Sequence, residues 1–207
     1  MNFRASGPSP LFSPSFQDGV TPVSVSLAAL SHAHIDEVVH LIQAPARRML
    51  ADAGASPEAA LARVARLKGP EQIREMLERP APDVLLGARD EHGELIGVGG
   101  LKMTAPGTAE MHTLYLAEAA QGRGIGRLLM QARIEHARRA GLDVLHLRTA
   151  TSNVRIQRLA ASLGFTLHEY LDSTTMPGVA WQIWRLPRLQ SLVTAPVGPN
   201  EDLLLPA

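Results

Sequence analysis

The sequence predicts an α/β fold in which helices flank a mixed sheet. Three observations predict it. Apolar residues recur at helical spacing at Ile35, Val38, Val39 and Ile42, and again at Ile125, Leu128, Leu129 and Ala132, as on the buried face of an amphipathic helix. Short runs rich in strand formers, such as Met111 to Leu116, lie between the helical stretches. Turn signals at Asp90-Glu-His-Gly93 and Ala105-Pro-Gly-Thr108 join neighbouring strands into hairpins in the middle of the chain.

Taken in order, Val23 to Leu27 alternates apolar and small polar residues and reads as a first strand. Ser31 is an N-cap for the helix that follows, and Pro45 ends or kinks it. Ser56-Pro57-Glu58 opens a second helix with proline at its first position. Pro70 starts a third, Glu71 to Arg79, closed by Pro80 and Pro82. Asp83 to Arg89 and Leu95 to Met103 are strands, and the second turn leads into a central strand ending at Leu116. A helix then runs to about Ala140, with Gly141 as its stop. Val144 to Thr149 is a strand. Val154 to Leu163 is a helix capped by Asn153 and closed by Gly164. Phe165 to Leu171 and Trp181 to Leu186 form a last strand pair, and Trp181 and Trp184 either pack on the sheet or meet a second copy of the chain.

The most informative stretch joins the central strand to its helix: Gln121-Gly122-Arg123-Gly124-Ile125-Gly126-Arg127. Glycine adopts backbone angles closed to other residues and lets a ligand approach the main chain. The first turn of a helix carries unsatisfied N–H groups and the positive end of the helix dipole. Together these make an anion cradle suited to phosphate, and Arg123 and Arg127 add full charges. A P-loop needs Lys after its last glycine, and none follows here. A dinucleotide fingerprint, Gly-x-Gly-x-x-Gly, would need glycine at Arg127 or Leu129. Asp143, at the right separation for its ribose-binding acid, precedes a strand instead of ending one. A dinucleotide-dependent oxidoreductase is therefore the weaker alternative.

Gln121-Gly-Arg-Gly-Ile-Gly126 fits Gln/Arg-x-x-Gly-x-Gly/Ala. With Leu-Tyr-Leu116 upstream, and Asn153, Leu159 and Leu163-Gly-Phe165 downstream, the chain resembles the GNAT superfamily of acetyl-CoA-dependent N-acetyltransferases. The resemblance covers roughly Ser24 to Leu186 and is most specific from Glu110 to Phe165. It implies a mostly antiparallel sheet whose central strand splays from the one after its helix, with the cofactor in the gap. It implies that backbone N–H groups from Gln121 to Arg127 hold the pyrophosphate of acetyl-CoA. It further implies that main-chain groups of Leu114, Tyr115 and Leu116 pair with the pantetheine and that Asn153 touches the cofactor, although Asn153 is equally well read as a helix cap. Arg155 and Arg158 reach the 3′-phosphate or are solvated.

An amine with a pKa of about 10.4 is neutral only about once in several thousand molecules at pH 7, so acetyl transfer gains from a general base, worth ~10²–10⁴-fold. By resemblance Glu110, at the start of the central strand, is that base. His112, two residues on and so on the same face, is the alternate. The family's tyrosine seven residues after the asparagine, which protonates the leaving thiolate, is here Ala160. That departure leaves the general acid unassigned and keeps a non-catalytic acyl-CoA-binding module as a second alternative. The expected acceptor is a primary amine of a small molecule or peptide, acetylated by direct transfer.

Composition narrows the classes. The 207 residues suit one domain with tails, and 45% are hydrophobic, enough for a core. Equal numbers of Lys+Arg and Asp+Glu, 20 each, and 4% aromatic residues argue against nucleic acid or an anionic membrane as partner. No cysteine is present, which rules out disulfides, thiolate metal sites and a cysteine nucleophile and suits a reducing, cytoplasmic setting. His32 and His34 lack a third ligand in pattern, so no metal is expected. No membrane span or signal pattern appears. Residues 1–22, rich in Ser and Pro, are expected to be a disordered leader, 23–187 the N-acetyltransferase domain, and 188–207 an extended tail.

Overall fold

The structure, a computed structural model, describes residues 24–52, 54–172 and 180–189. The leader, most of the C-terminal tail and the stretch 173–179 lie outside these residues.

Seven strands form one sheet, ordered β1-β2-β3-β4-β5-β7-β6. They are β1 (Ser26–Ala29), β2 (Val84–Arg89), β3 (Leu95–Ala105), β4 (Thr108–Leu116), β5 (Val144–Ala150), β6 (Thr166–Asp172) and β7 (Ala180–Pro187). Every neighbouring pair is antiparallel except β4–β5. Hairpins need only short turns, whereas a parallel pair needs a crossover. Helix α4 (Ile125–Arg139) makes that crossover. Helices α1 (Ile35–Asp52), α2 (Pro57–Lys68) and α3 (Pro70–Glu78) pack on one face of the sheet. Helices α4 and α5 (Val154–Ser162) pack on the other.

The expected elements are present, with two corrections. The first ladder pairs Ser26–Ala29 with Leu86–Arg89, where the alternation suggested Val23 to Leu27. Val25 and Leu27 still point inward, at 5% and 1% exposure. Pro45 does not end α1, which continues to Asp52. Proline costs the helix the bond to the carbonyl four residues back, about 3 kcal/mol. Beyond it, Ala46 and Leu50 extend the buried stripe of Ile35, Val38, Val39 and Ile42 onto Ala60, Val64 and Ile73. Burying each large apolar side chain returns roughly 1.5–3 kcal/mol, so packing outweighs the missing bond.

Local signals set the helix starts. Ser56 Oγ accepts the Ala59 N–H at 3.2 Å, with Pro57 at the first helical position. Asn153 Oδ1 accepts the Ile156 N–H at 3.3 Å, so the capping role is realised. The core also reaches past the expected boundary, because Leu189 is fully buried in the cluster with Leu145, Phe165 and Leu186. Trp181 and Trp184 are half-buried, one packed against each core cluster flanking the sheet. No helix among the described residues is long and apolar enough to cross a membrane.

Candidate active site

The site forms where the sheet opens. Parallel pairing of β4 with β5 runs from Thr108↔Val144 to Met111↔Leu147 and stops. From Arg148 onward β5 keeps only its β7 partners, Ile183, Gln182 and Trp181. The edge of β4 beyond Met111 therefore faces a gap. On its other edge Tyr115 pairs with Val98, and the Ala117 N–H donates to Ile96 O. Strand alternation then turns the main-chain groups of Leu114 and Leu116 toward the gap.

A bulge shapes β4 at this point. Val98 pairs with Tyr115 and Gly100 with His112, so Thr113 and Leu114 together oppose Gly99. Thr113 sits at φ 53°, a left-handed conformation for a β-branched residue, costing about 1–2 kcal/mol. The bulge breaks the alternation of faces. As a result His112 and Thr113, neighbours in sequence, bond to each other, Nδ1 to Oγ1 at 2.7 Å. Lys68 of α2 donates to the same Thr113 Oγ1 at 2.8 Å, and its ammonium lies 5.9 Å from the centre of the Tyr115 ring.

Beneath the bulge runs Arg133 of α4, fully buried. Its Nη1 donates to the carbonyls of Gly100 and His112, both at 3.1 Å, and its Nε to Leu129 O at 3.0 Å. Gly99 and Gly100 make room for this arrangement. A Cβ on Gly99 would stand 3.0 Å from Arg133 Nε, and one on Gly100 would stand 2.5 Å from the His112 ring on the other face.

A cleft of about 670 Å³ opens over the bulge and the gap. Of the residues singled out from the sequence, it brings together Glu110, His112, Leu114, Tyr115 and Asn153. Leu116 and the stretch Gln121 to Arg127 do not line it. The Leu116 side chain turns toward Gly97 and Gly126, under α4.

Electrostatics separate the two candidate bases. Glu110 is 18% exposed and pairs with Lys102 Nζ at 3.1 Å and Arg148 at 3.8 Å. Burial pushes the His112 imidazole down to about 3, with Lys68, Arg133, Lys102 and Arg79 adding to the effect. It is neutral at pH 7 and has little affinity for a proton. Burial lowers Lys68 to about 8, against the pull of Glu110, and raises the Tyr115 phenol to about 12. Lys68 and Arg133 enter the site from α2 and α4 with no motif around them. The adjacent Gly99-Gly100 pair was the sequence signal that something bulky crosses β3.

The glycine stretch adopts the cradle conformation. Gly122 and Gly124 lie at φ 76° and 78°, and Gly124 caps α4. Gly126 has ordinary helical geometry, and a Cβ there would come no nearer than 3.5 Å to Leu116. The first amide bond of α4 runs from Leu128 N–H to Gly124 O. Among the described residues, no acceptor takes the N–H groups of Ile125, Gly126 or Arg127. The Gln121 side chain accepts from Arg155 at 3.0 Å, and Arg127 donates to Ser162 Oγ at 2.8 Å. Arg123 is exposed beside the turn. Ala160 is fully buried in the core with Leu159 and Phe165. His32 pairs with Glu78 at 3.5 Å, and His34 Nδ1 accepts the Ser31 N–H at 3.0 Å.

Residues 52–165 match the profile of the acetyltransferase (GNAT) family. An uncharacterized N-acetyltransferase of Schizosaccharomyces pombe is 31% identical over 49% of this chain and 63% of its own length. An L-methionine sulfoximine/L-methionine sulfone acetyltransferase of Pseudomonas aeruginosa is 33% identical over 49% of this chain and 58% of its own length. The chain thus spans about three-fifths of these two relatives. The solved structure of PaiA N-acetyltransferase from Thermoplasma acidophilum, in complex with coenzyme A, has the same fold, with a TM-score of 0.67 at 20% identity over 79% of this chain and 99% of that one.

Proposed function

The chain belongs to the GNAT acetyltransferase family, and from that premise we propose that it is an N-acetyltransferase. It moves an acetyl group from acetyl-CoA to a primary amine of a small molecule or peptide by direct transfer. One observation carries the proposal: the sheet opens between β4 and β5 beside a helix start whose first amides have no protein acceptor. Unpaired main-chain groups are costly when buried. A diphosphate suits the free N–H groups of Ile125, Gly126 and Arg127, whereas the Gln121 N–H is already taken by Glu118 O at 3.1 Å. A peptide-like pantetheine suits the edge presented by Leu114 and Leu116, Tyr115 being paired with Val98. Acetyl-CoA supplies the activated thioester. Asn153 lines the same cleft while capping α5.

Glu110 takes the proton from the acceptor ammonium, directly or through water. Lys102 and Arg148 hold its carboxylate in place within the cleft. His112 is the poorer base, because a neutral ring surrounded by cations resists a further positive charge. The cytoplasm suits such an enzyme, since it can supply acetyl-CoA.

The buried Ala160 favours a second reading, a non-catalytic acyl-CoA-binding module, because no proton donor stands where the family's tyrosine does. Melting in the presence of ligand and thiol release separate the readings. Acetyl-CoA at ~100-fold its Kd should add about 2.7 kcal/mol, which is about 5–11 °C in Tm for a domain of this size, whereas NAD should add nothing. Candidate amines should then release thiol, and Glu110→Gln should lower kcat/KM by ~10²-fold or more, with partial recovery at high pH. A shift with NAD and none with acetyl-CoA would overturn the proposal. Binding of acetyl-CoA without thiol release across a broad amine panel would support the binding module.

A further inference from the structure

The chain as a whole is electrically balanced, with 20 Lys+Arg and 20 Asp+Glu, but its cleft is not. Six cationic side chains line it, Arg63, Lys68, Arg79, Lys102, Arg133 and Arg148, against two carboxylates, Glu110 and Asp172. The carboxylates in reach are already committed. Glu110 serves both Lys102 and Arg148, and Asp83, outside the cleft, lies 3.6 Å from Arg79. Asp172 is exposed at the end of β6 and pairs with none of the six. Among the described residues, Arg63, Lys68 and Arg133 therefore face the cleft with no acid at ion-pair distance, although Glu110 acts on Lys68 from further off.

Their hydrogen-bonding capacity is also unspent. Lys68 carries three N–H donors, and one goes to Thr113. Arg133 is fully buried, and its Nη2 has no acceptor among the described residues. A buried cation without an anion is costly, and a buried donor left unpaired adds about 1–3 kcal/mol. Desolvation already holds Lys68 well below its usual range. The diphosphate cradle does not account for these cations. Gln121 to Arg127 lie outside the cleft lining and bring their own arginines.

We propose that the acceptor carries an oxyanion, a carboxylate or phosphate, in addition to its amine, and that Lys68 and Arg63 on α2 bind it over the positive floor supplied by Arg133. The amine end then lies toward Glu110, the one acid held within the cluster. This rests on the N-acetyltransferase reading above and narrows its substrate class.

The test uses matched pairs with and without the oxyanion: L-leucine against leucinamide, and O-phosphoethanolamine against ethanolamine. Calorimetry on the full chain saturated with coenzyme A reads Kd, and thiol release reads KM. At least one oxyanion-bearing member should bind about tenfold tighter than its neutral partner, the size of one charge-assisted bond. Which pair discriminates identifies carboxylate or phosphate. Lys68→Met and Arg63→Gln should each abolish most of that preference while leaving the Kd for coenzyme A unchanged. Equal or tighter binding of the neutral member in both pairs, or no binding of any member, overturns the inference. So does a preference that survives both substitutions. None of these results touches the acetyl-CoA melting shift, whose absence would instead sink the broader reading.

Discussion

His112 illustrates how burial among like charges reverses a residue's expected chemistry. Its position on β4 made it an alternate base, but burial, reinforced by the neighbouring cations, holds its ring neutral down to about pH 3. That shift has a consequence for stability. The folded value lies below the ordinary 6.5, so between the two the unfolded chain binds a proton that the folded chain does not. Stability must fall as pH drops below about 6.5, by up to about 1.36 kcal/mol per pH unit from this group. Melting curves between pH 6.5 and pH 5, above most carboxylate titration, should show that slope, and His112→Gln should flatten it. An identical slope in the variant would mean that the ring is not buried in neutral form.

Among the elements, the turn from β4 into α4 was the most legible, because glycines spaced two apart before a helix have few structural uses. The structure divides their labour. Gly122 and Gly124 hold left-handed angles in open space, while Gly126 is simply helical. Gly124→Ala should cost about 1–2 kcal/mol through the left-handed penalty, visible as a modest fall in Tm. It should also weaken coenzyme A binding at least tenfold by calorimetry, because the same angle aims the first amides of α4. A fall in Tm with unchanged affinity would detach the turn from the ligand. The β4 bulge was illegible by contrast. Nothing in Met111 to Leu116 marks Thr113 as left-handed, since its conformation follows from a partner strand and an arginine on another element. That Pro45 does not end its helix has a related reason: the helix is held by side chains that reach it from α2 and α3.

At the scale of the molecule, one sheet separates two hydrophobic layers, and the candidate cleft lies where the sheet parts. The layer under α4 and α5 is closed by Leu189, whose N–H donates to Asp143 O at 3.1 Å, just before β5. This ties the end of β7 to the start of β5. Leu189→Ala should therefore destabilise the whole domain by about 2–5 kcal/mol, measured by chemical denaturation. A change below about 0.5 kcal/mol, typical of surface substitutions, would show that the core ends at Pro187, as the sequence suggested.

The sequence by itself determined what short-range chemistry controls: the alternation of helices and strands, the caps at Ser56 and Asn153, the hairpins and the left-handed glycine turn before α4. Each depends on residues within one or two turns of one another, so spacing alone reveals it. The tertiary structure decided the parting of β4 from β5, the bulge at Thr113, and the pairing of Lys102 and Arg148 with one glutamate in a cleft that Lys68 and Arg133 also line. These arise from distances through space between distant segments. Desolvation and charge act along those distances, so a neutral composition could not disclose a cationic cleft.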